Sequence, residues 1–232
     1  QHDFFSYAYQ VLSVSLRGHG PSRFHGDTSP TTLEIESMAT DIIYLLAVLG
    51  IDRVHFVGNS MGGIIGYELL RQKPALLASL CTFGTTAQLC TSRIYLALLR
   101  LTYKLLSRQT IGMLAGMVGQ TQAAKRKIRE MMSDTPKSTL LQLMSQIATY
   151  NYLPTLELAA LPCLIIKGGQ DNAINKTINS TIGTLQERGS CRLVEMEHAG
   201  HFANLDQPDL FNRTLLEFIT SQDKKTTGLC AP

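Results

Sequence analysis

The run Val54-His55-Phe56-Val57-Gly58-Asn59-Ser60-Met61-Gly62-Gly63 constrains this chain more than any other. A short segment rich in β-branched and aromatic residues enters it, and a helical pattern over residues 64–71 leaves it. A strand that turns at once into a helix forces a sharp corner, and Ser60 occupies that corner within Gly-x-Ser-x-Gly. Side chains at positions 58 and 62 are expected to collide with the crossing backbone, so both are glycine. The first amides of the outgoing helix point at whatever is bonded to Ser60, which suits a developing negative charge. The same five letters also arise by chance in glycine-rich turns. A phosphate loop of the Walker type is disfavoured because no lysine follows the glycines. The surrounding chain decides.

Apolar runs alternate with helical periodicity on both sides of this corner. Residues 9–15 read as a buried strand, ended by the loop Arg17-Gly-His-Gly-Pro21. Thr31 or Thr32 could cap a helix reaching Leu49, with Ile35, Met38, Ile42, Leu45, Leu46 and Leu49 on one face and Gly50 closing it. Strands follow at 52–57 and 75–83, separated by the helix that stops before Pro74. Later come strands at 164–167 and 191–196, a helix over 177–188 and a closing helix over 208–220. Strands apolar on both faces, each followed by a helix, predict a mostly parallel sheet with helices on both sides. The expected division is a first core part (1–86), a helical lid (87–153), a second core part (154–222) and a loose tail (223–232).

The lid segment breaks the alternation. Between about 87 and 150 the sequence offers helical patterns and no convincing strand. Basic residues dominate it: Arg93, Arg100, Lys104, Arg108, Lys125, Arg126, Lys127, Arg129 and Lys137 stand against Glu130 and Asp134, nine to two, or +7. The whole chain is only +3, so the remainder is about −4. A mild overall charge does not point to nucleic acid. Hydrophobic residues make up 44% of 232, yet no apolar run is long enough to span a bilayer. Five unpaired-looking cysteines, Cys81, Cys90, Cys163, Cys191 and Cys230, suggest a reducing, cytoplasmic setting. The start Gln-His-Asp-Phe-Phe is neither a signal peptide nor an ordinary initiator, so a native beginning upstream of Gln1 is expected.

A nucleophilic serine needs a base, and the base needs an orienting acid. In a parallel sheet every strand ends on the same edge, where the sites of open α/β folds gather. Ser60 follows one strand end, Asp171 a second (Leu164-Ile-Ile-Lys-Gly-Gly-Gln-Asp) and His201 a third (His198-Ala-Gly-His-Phe-Ala-Asn). Their order, Ser–Asp–His, is the order this kind of triad takes. His198 competes with His201; the small Gly200 before it favours His201. Asp171 could equally be only a cap for the following turn, as could Asn172. His2 is terminal and His55 reads as a core or sheet-edge residue. No His or Cys spacing suggests a metal, and the chemistry requires no cofactor.

These motifs resemble the α/β-hydrolase fold family, in its lid-bearing esterase type. The family's Asp-x-Arg-Gly-His-Gly appears as Ser15-Leu-Arg-Gly-His-Gly20, and its Gly-His-Phe-x-x-x-Glu-x-Pro as Gly200-His-Phe-Ala-Asn-Leu-Asp-Gln-Pro208. The corner Gly58-Asn-Ser-Met-Gly-Gly63 is similar to that of carbon–carbon hydrolases acting on meta-ring-fission products, and also to that of carboxylesterases and lactonases. The resemblance implies catalytic Ser60, Asp171 and His201, an oxyanion donor in the Met61 N–H, and no cofactor. It further implies earlier strands and a His-Gly loop, carrying the second oxyanion donor, before the position of Gln1; without them the sheet would expose an edge. Arg93, Arg100, Met113, Met117 and Met144 are lid candidates for substrate contact, with Arg108 a third arginine for a substrate carboxylate. The expected substrate is a moderately apolar carboxylic ester. A carbon–carbon or lactone substrate, and a pocket kept for binding alone, stay open, as do contact with an anionic surface and a homodimer.

Overall fold

The computed structural model describes residues 1–22, 33–189 and 191–228. In chain order its first half comprises α1 (His2–Phe5), α2 (Ile35–Val48), β1 (Val54–Asn59), α3 (Met61–Gln72) and β2 (Leu77–Phe83). An insertion follows: β3 (Gln88–Cys90), α4 (Arg93–Leu105), α5 (Arg108–Gly116), α6 (Gln122–Asp134), α7 (Lys137–Ala148) and β4 (Thr149–Asn151). The chain then returns through α8 (Leu153–Glu157), β5 (Cys163–Gly168), α9 (Asn179–Glu187), β6 (Cys191–Met196), α10 (Ala203–Asp206) and α11 (Pro208–Gly228).

Four strands form one parallel sheet in the order β1-β2-β5-β6. Alternation along the central strands builds two cores. Leu80, Cys163 and Ile165 point to one face, where they meet Met38, Ile42 and Leu46 of α2, Ile64, Ile65 and Leu69 of α3, and Leu185 of α9. Cys81, Phe83, Leu164 and Ile166 point to the other, against Phe211, Leu215, Phe218 and Ile219 of α11. Successive side chains of a strand face opposite ways, so strands that are apolar throughout must be covered twice. That is why the sequence alternates strand with helix.

Four expectations change. Residues 9–15 form no strand: Leu12 and Val14 are exposed, and a strand needs a hydrogen-bonded neighbour, whereas β1 pairs with β2 alone among the described residues. The insertion is not wholly helical, because β3 and β4 pair antiparallel at its base. Strands of three residues are too short to leave a periodic signal. The tail expected to be loose over 223–232 is helical as far as Gly228, where α11 ends, and 229–232 lie outside the described residues. Asp223 anchors it: its carboxylate accepts from Tyr9 Oη at 2.9 Å and lies 3.0 Å from His55 Nε2, while His55 Nδ1 sits 2.8 Å from Ser79 Oγ. Finally, α2 runs to Val48 and leaves Leu49 exposed; Thr31 and Thr32 lie outside the described residues.

Candidate active site

Ser60 sits between β1 and α3 with φ 51° and ψ −118°, the one non-glycine residue of positive φ among the described residues. Such a backbone costs on the order of 1–3 kcal/mol and persists only where its surroundings enforce it. Here the Ser60 N–H donates to Phe83 O at 3.0 Å, tying the corner to the end of β2. The crossing backbone is tight at Gly58, where a Cβ would lie 2.3 Å from Gly62 O. Gly62 itself has open space, contrary to the expectation that both glycines avoid a clash; the crowded neighbour is Gly63, whose Cβ would meet Thr85 Cγ2 at 2.3 Å. The difference is directional: the helix turns position 62 outward and position 63 onto the segment after β2. Ser60 gives α3 no side-chain cap; its carbonyl accepts instead from the Gly63 and Ile64 N–H groups at 2.9 and 3.2 Å.

Asp171 follows β5 and is buried. Its Oδ1 accepts from the Ile174 N–H at 3.3 Å, and its Oδ2 lies 2.8 Å from His201 Nδ1. The cap and the imidazole partner are thus both real, one on each oxygen. With an ionised carboxylate as acceptor, the proton of a neutral His201 belongs on Nδ1 and the Nε2 lone pair is free. His198 is exposed, and the imidazole on Asp171 is that of His201.

Two strands separate β1 from β6, roughly 14 Å at the usual strand spacing. The His201 loop closes that gap. Its carbonyl accepts from Asn59 Nδ2 at 2.8 Å, one residue before the serine, and Asn59 Nδ2 also reaches Phe83 O at 3.2 Å. Gly84, with φ +58°, lets the loop pass: a Cβ there would stand 2.5 Å from His201 O and 3.3 Å from His201 Cε1. Ser60, through its N–H on Phe83 O, and the His201 loop, through Asn59 Nδ2, are thus both tied to the end of β2; among the described residues no hydrogen bond joins Ser60 Oγ to His201.

Asn59 and Asp206 are site-building residues that sequence reasoning passed over. Asp206, only 6% exposed, accepts from the Gly200 N–H at 2.9 Å through Oδ2 and from the Gln120 and Thr121 N–H groups at 2.7 and 3.2 Å through Oδ1. One carboxylate thereby joins the His201 loop to the start of α6. Its signal was present as the acidic position of Gly-His-Phe-x-x-x-Asp, matched as a motif letter without a role.

The two buried sheet thiols do not compete with Ser60 as nucleophiles. Burial pushes Cys81 upward and Cys163 up to about 12, so both stay protonated. In the insertion, Arg93 is exposed, Arg100 half-buried, Met113 and Met117 exposed, and Met144 buried. Arg108 donates to Ser133 O.

The profile of the alpha/beta hydrolase family matches residues 2–214. The chain belongs to that family. It is 24% identical over 226 residues to 3-oxoadipate enol-lactonase 1 of Acinetobacter baylyi, covering 92% of this chain and 79% of that protein. It is 25% identical over 203 residues to a putative carbamate hydrolase, RutD, of Pseudomonas savastanoi, covering 83% and 78%. The esterase EaEST of Exiguobacterium antarcticum superposes with a TM-score of 0.76 at 20% identity, over 88% of this chain and 79% of that one. For the alpha/beta hydrolase family this is the expected parallel sheet with helices on both faces. Among the described residues no helix is long and apolar enough to cross a membrane.

Proposed function

We propose that the chain hydrolyses a carboxylic ester of a moderately apolar, neutral small molecule through an acyl-enzyme. The observation that carries this reading is the 2.8 Å His201–Asp171 bond, held on a loop whose carbonyl is tied to Asn59 beside Ser60. His201 Nε2 takes the Ser60 proton as Oγ attacks the carbonyl carbon. The Met61 N–H faces the resulting oxyanion. His201 then protonates the leaving alcohol, and water repeats the cycle on the acyl-enzyme. Asp171 holds the imidazole and stabilises its cation. A lactone is a cyclic ester open to the same steps, and the enol-lactonase relative gives that variant its support.

Neutral substrates are favoured because two of the three arginine candidates are unsuited to reading a carboxylate, Arg93 being exposed and Arg108 engaged with Ser133 O, which leaves the half-buried Arg100 as the one to test. Paired esters differing only by a distal carboxylate should show kcat/KM ratios within about tenfold at high salt. A larger preference for the acid that survives salt and disappears with Arg100→Ala would overturn the neutral-ester reading and favour a carbon–carbon hydrolase.

A second expectation concerns Asp206. In Asp206→Asn one oxygen becomes an NH₂ that faces backbone N–H donors, so at least one buried amide loses its acceptor, at about 1–3 kcal/mol. The His201 loop then shifts, and sub-ångström placement governs proton transfer. Labelling of Ser60 by a fluorophosphonate should slow about 10–100-fold, with a melting temperature lower by only a few degrees. Unchanged labelling would reduce Asp206 to a stability residue.

A further inference from the structure

Helix α4 differs from the other helices of the insertion: none of its residues is buried, whereas α5, α6 and α7 each bury at least two. It packs on α7, and its half-buried residues Leu96, Leu99 and Tyr103 recur at helical spacing on one face. The opposite face is also apolar. Ile94, Leu98, Leu101 and Leu105, at i, i+4, i+7 and i+11, are 75%, 59%, 53% and 78% exposed. Arg93, Arg100 and Lys104 run along one flank of that stripe, and no ion pair among the described residues engages them. Tyr95, itself exposed, borders the other flank. Isolated exposed leucines need no explanation, but four in register, edged by cations, form a continuous amphipathic surface.

We propose that α4 lies in the interface of an anionic bilayer, with Ile94, Leu98, Leu101 and Leu105 among the upper acyl chains and Arg93, Arg100 and Lys104 against lipid phosphates. The pattern of an apolar stripe, a basic flank and a border aromatic is what an interfacial helix requires. A second copy of the chain is a poor occupant. A two-fold contact on this stripe would set three cations of one helix near three of its partner, on insertions that each carry nine basic and two acidic residues. Four side chains are also a small patch beside the roughly 1,200–2,000 Å² of a stable protein interface. A bilayer supplies what a second copy does not: diffuse negative charge and apolar depth matched to a single helix. The proposal does not depend on the hydrolase reading, because vesicle binding is read without turnover.

The chain contains no tryptophan, so Leu98→Trp installs a sole indole, excited apart from the tyrosines, at the middle of the stripe. With phosphatidylcholine vesicles containing one-third phosphatidylglycerol, its emission should shift to the blue and become shielded from an aqueous quencher. Pure phosphatidylcholine should give at least tenfold weaker partitioning. Adding Leu101→Glu, or Arg93→Glu with Lys104→Glu, should each weaken binding at least tenfold, as should half-molar salt for the anionic vesicles. All these positions are solvent-facing, and a circular-dichroism melt of each variant checks that it folds. No shift on anionic vesicles overturns the proposal, and so does equal partitioning onto neutral ones. A concentration-dependent dimer in sedimentation that Leu101→Glu abolishes would assign the stripe to a second copy instead.

Discussion

Ser60→Ala should lower kcat for an activated ester on the order of 10⁶-fold, and should abolish the adduct mass that a serine-directed phosphonate gives with the unaltered chain. The size of the effect follows from the geometry. On the proposed mechanism the serine oxygen carries the acyl group, so what would remain is catalysis by the oxyanion donor and by binding alone. Its removal should be nearly silent for folding. Ser60 Oγ makes no hydrogen bond among the described residues and does not cap α3. Alanine keeps the same Cβ at φ 51°, so the backbone strain is unchanged. Wild-type turnover by the purified variant would remove Ser60 from the chemistry. Unaltered phosphonate labelling would place the nucleophile elsewhere.

The strain itself can be measured. Glycine accepts a positive φ at no steric cost, although it adds freedom to the unfolded chain worth roughly 0.5–1 kcal/mol. Against a strain of about 1–3 kcal/mol, Ser60→Gly should be as stable as the parent or melt a few degrees higher, and be inactive. Stability held or gained with activity lost is the signature of a residue kept strained for function. A clear fall in melting temperature would show that the corner is relaxed.

The corner and the three strand ends were legible because each is a local pattern. An apolar run, a glycine turn and a helical period are all readable without knowing what lies nearby in space, and parallel strands carry their ends to one edge. What could not be read was anything that depends on a distant partner. Residues 9–15 have the composition of a strand, but strand formation requires a neighbour that no composition reveals. The helix at 221–228 looks like a polar tail until Tyr9 and His55 are placed beside Asp223. Gly62 and Gly63 are indistinguishable as letters, yet only Gly63 is crowded, because Thr85 arrives from the segment that follows β2. Asp206 follows the same logic: its three backbone donors lie at 120, 121 and 200, and only the fold assembles them. Sequence therefore located the corner and the strand ends, and tertiary contact defined the supports around them.

Asp171 allows the sharpest separation of chemistry from support, because its two oxygens have different duties. Oδ1 holds the turn by accepting from the Ile174 N–H; Oδ2 holds His201. In Asp171→Asn the amide oxygen can keep the turn, which directs the NH₂ at His201 Nδ1. A donor there forces Nδ1 to accept, so the imidazole proton moves to Nε2, the atom that must be free to take the Ser60 proton. Loss of this kind in a serine protease triad is about 10⁴ in kcat with geometry intact, and a fall of that order is expected here. Asp171→Ala should lose activity comparably and, in addition, about 1 kcal/mol of stability with the turn cap. The pair of variants thus predicts matched activity losses with unequal melting temperatures, the asparagine form staying close to the parent. If Asp171→Asn retained more than about a tenth of the activity, the bond to His201 would be structural, and the orienting acid would have to be sought on another strand end.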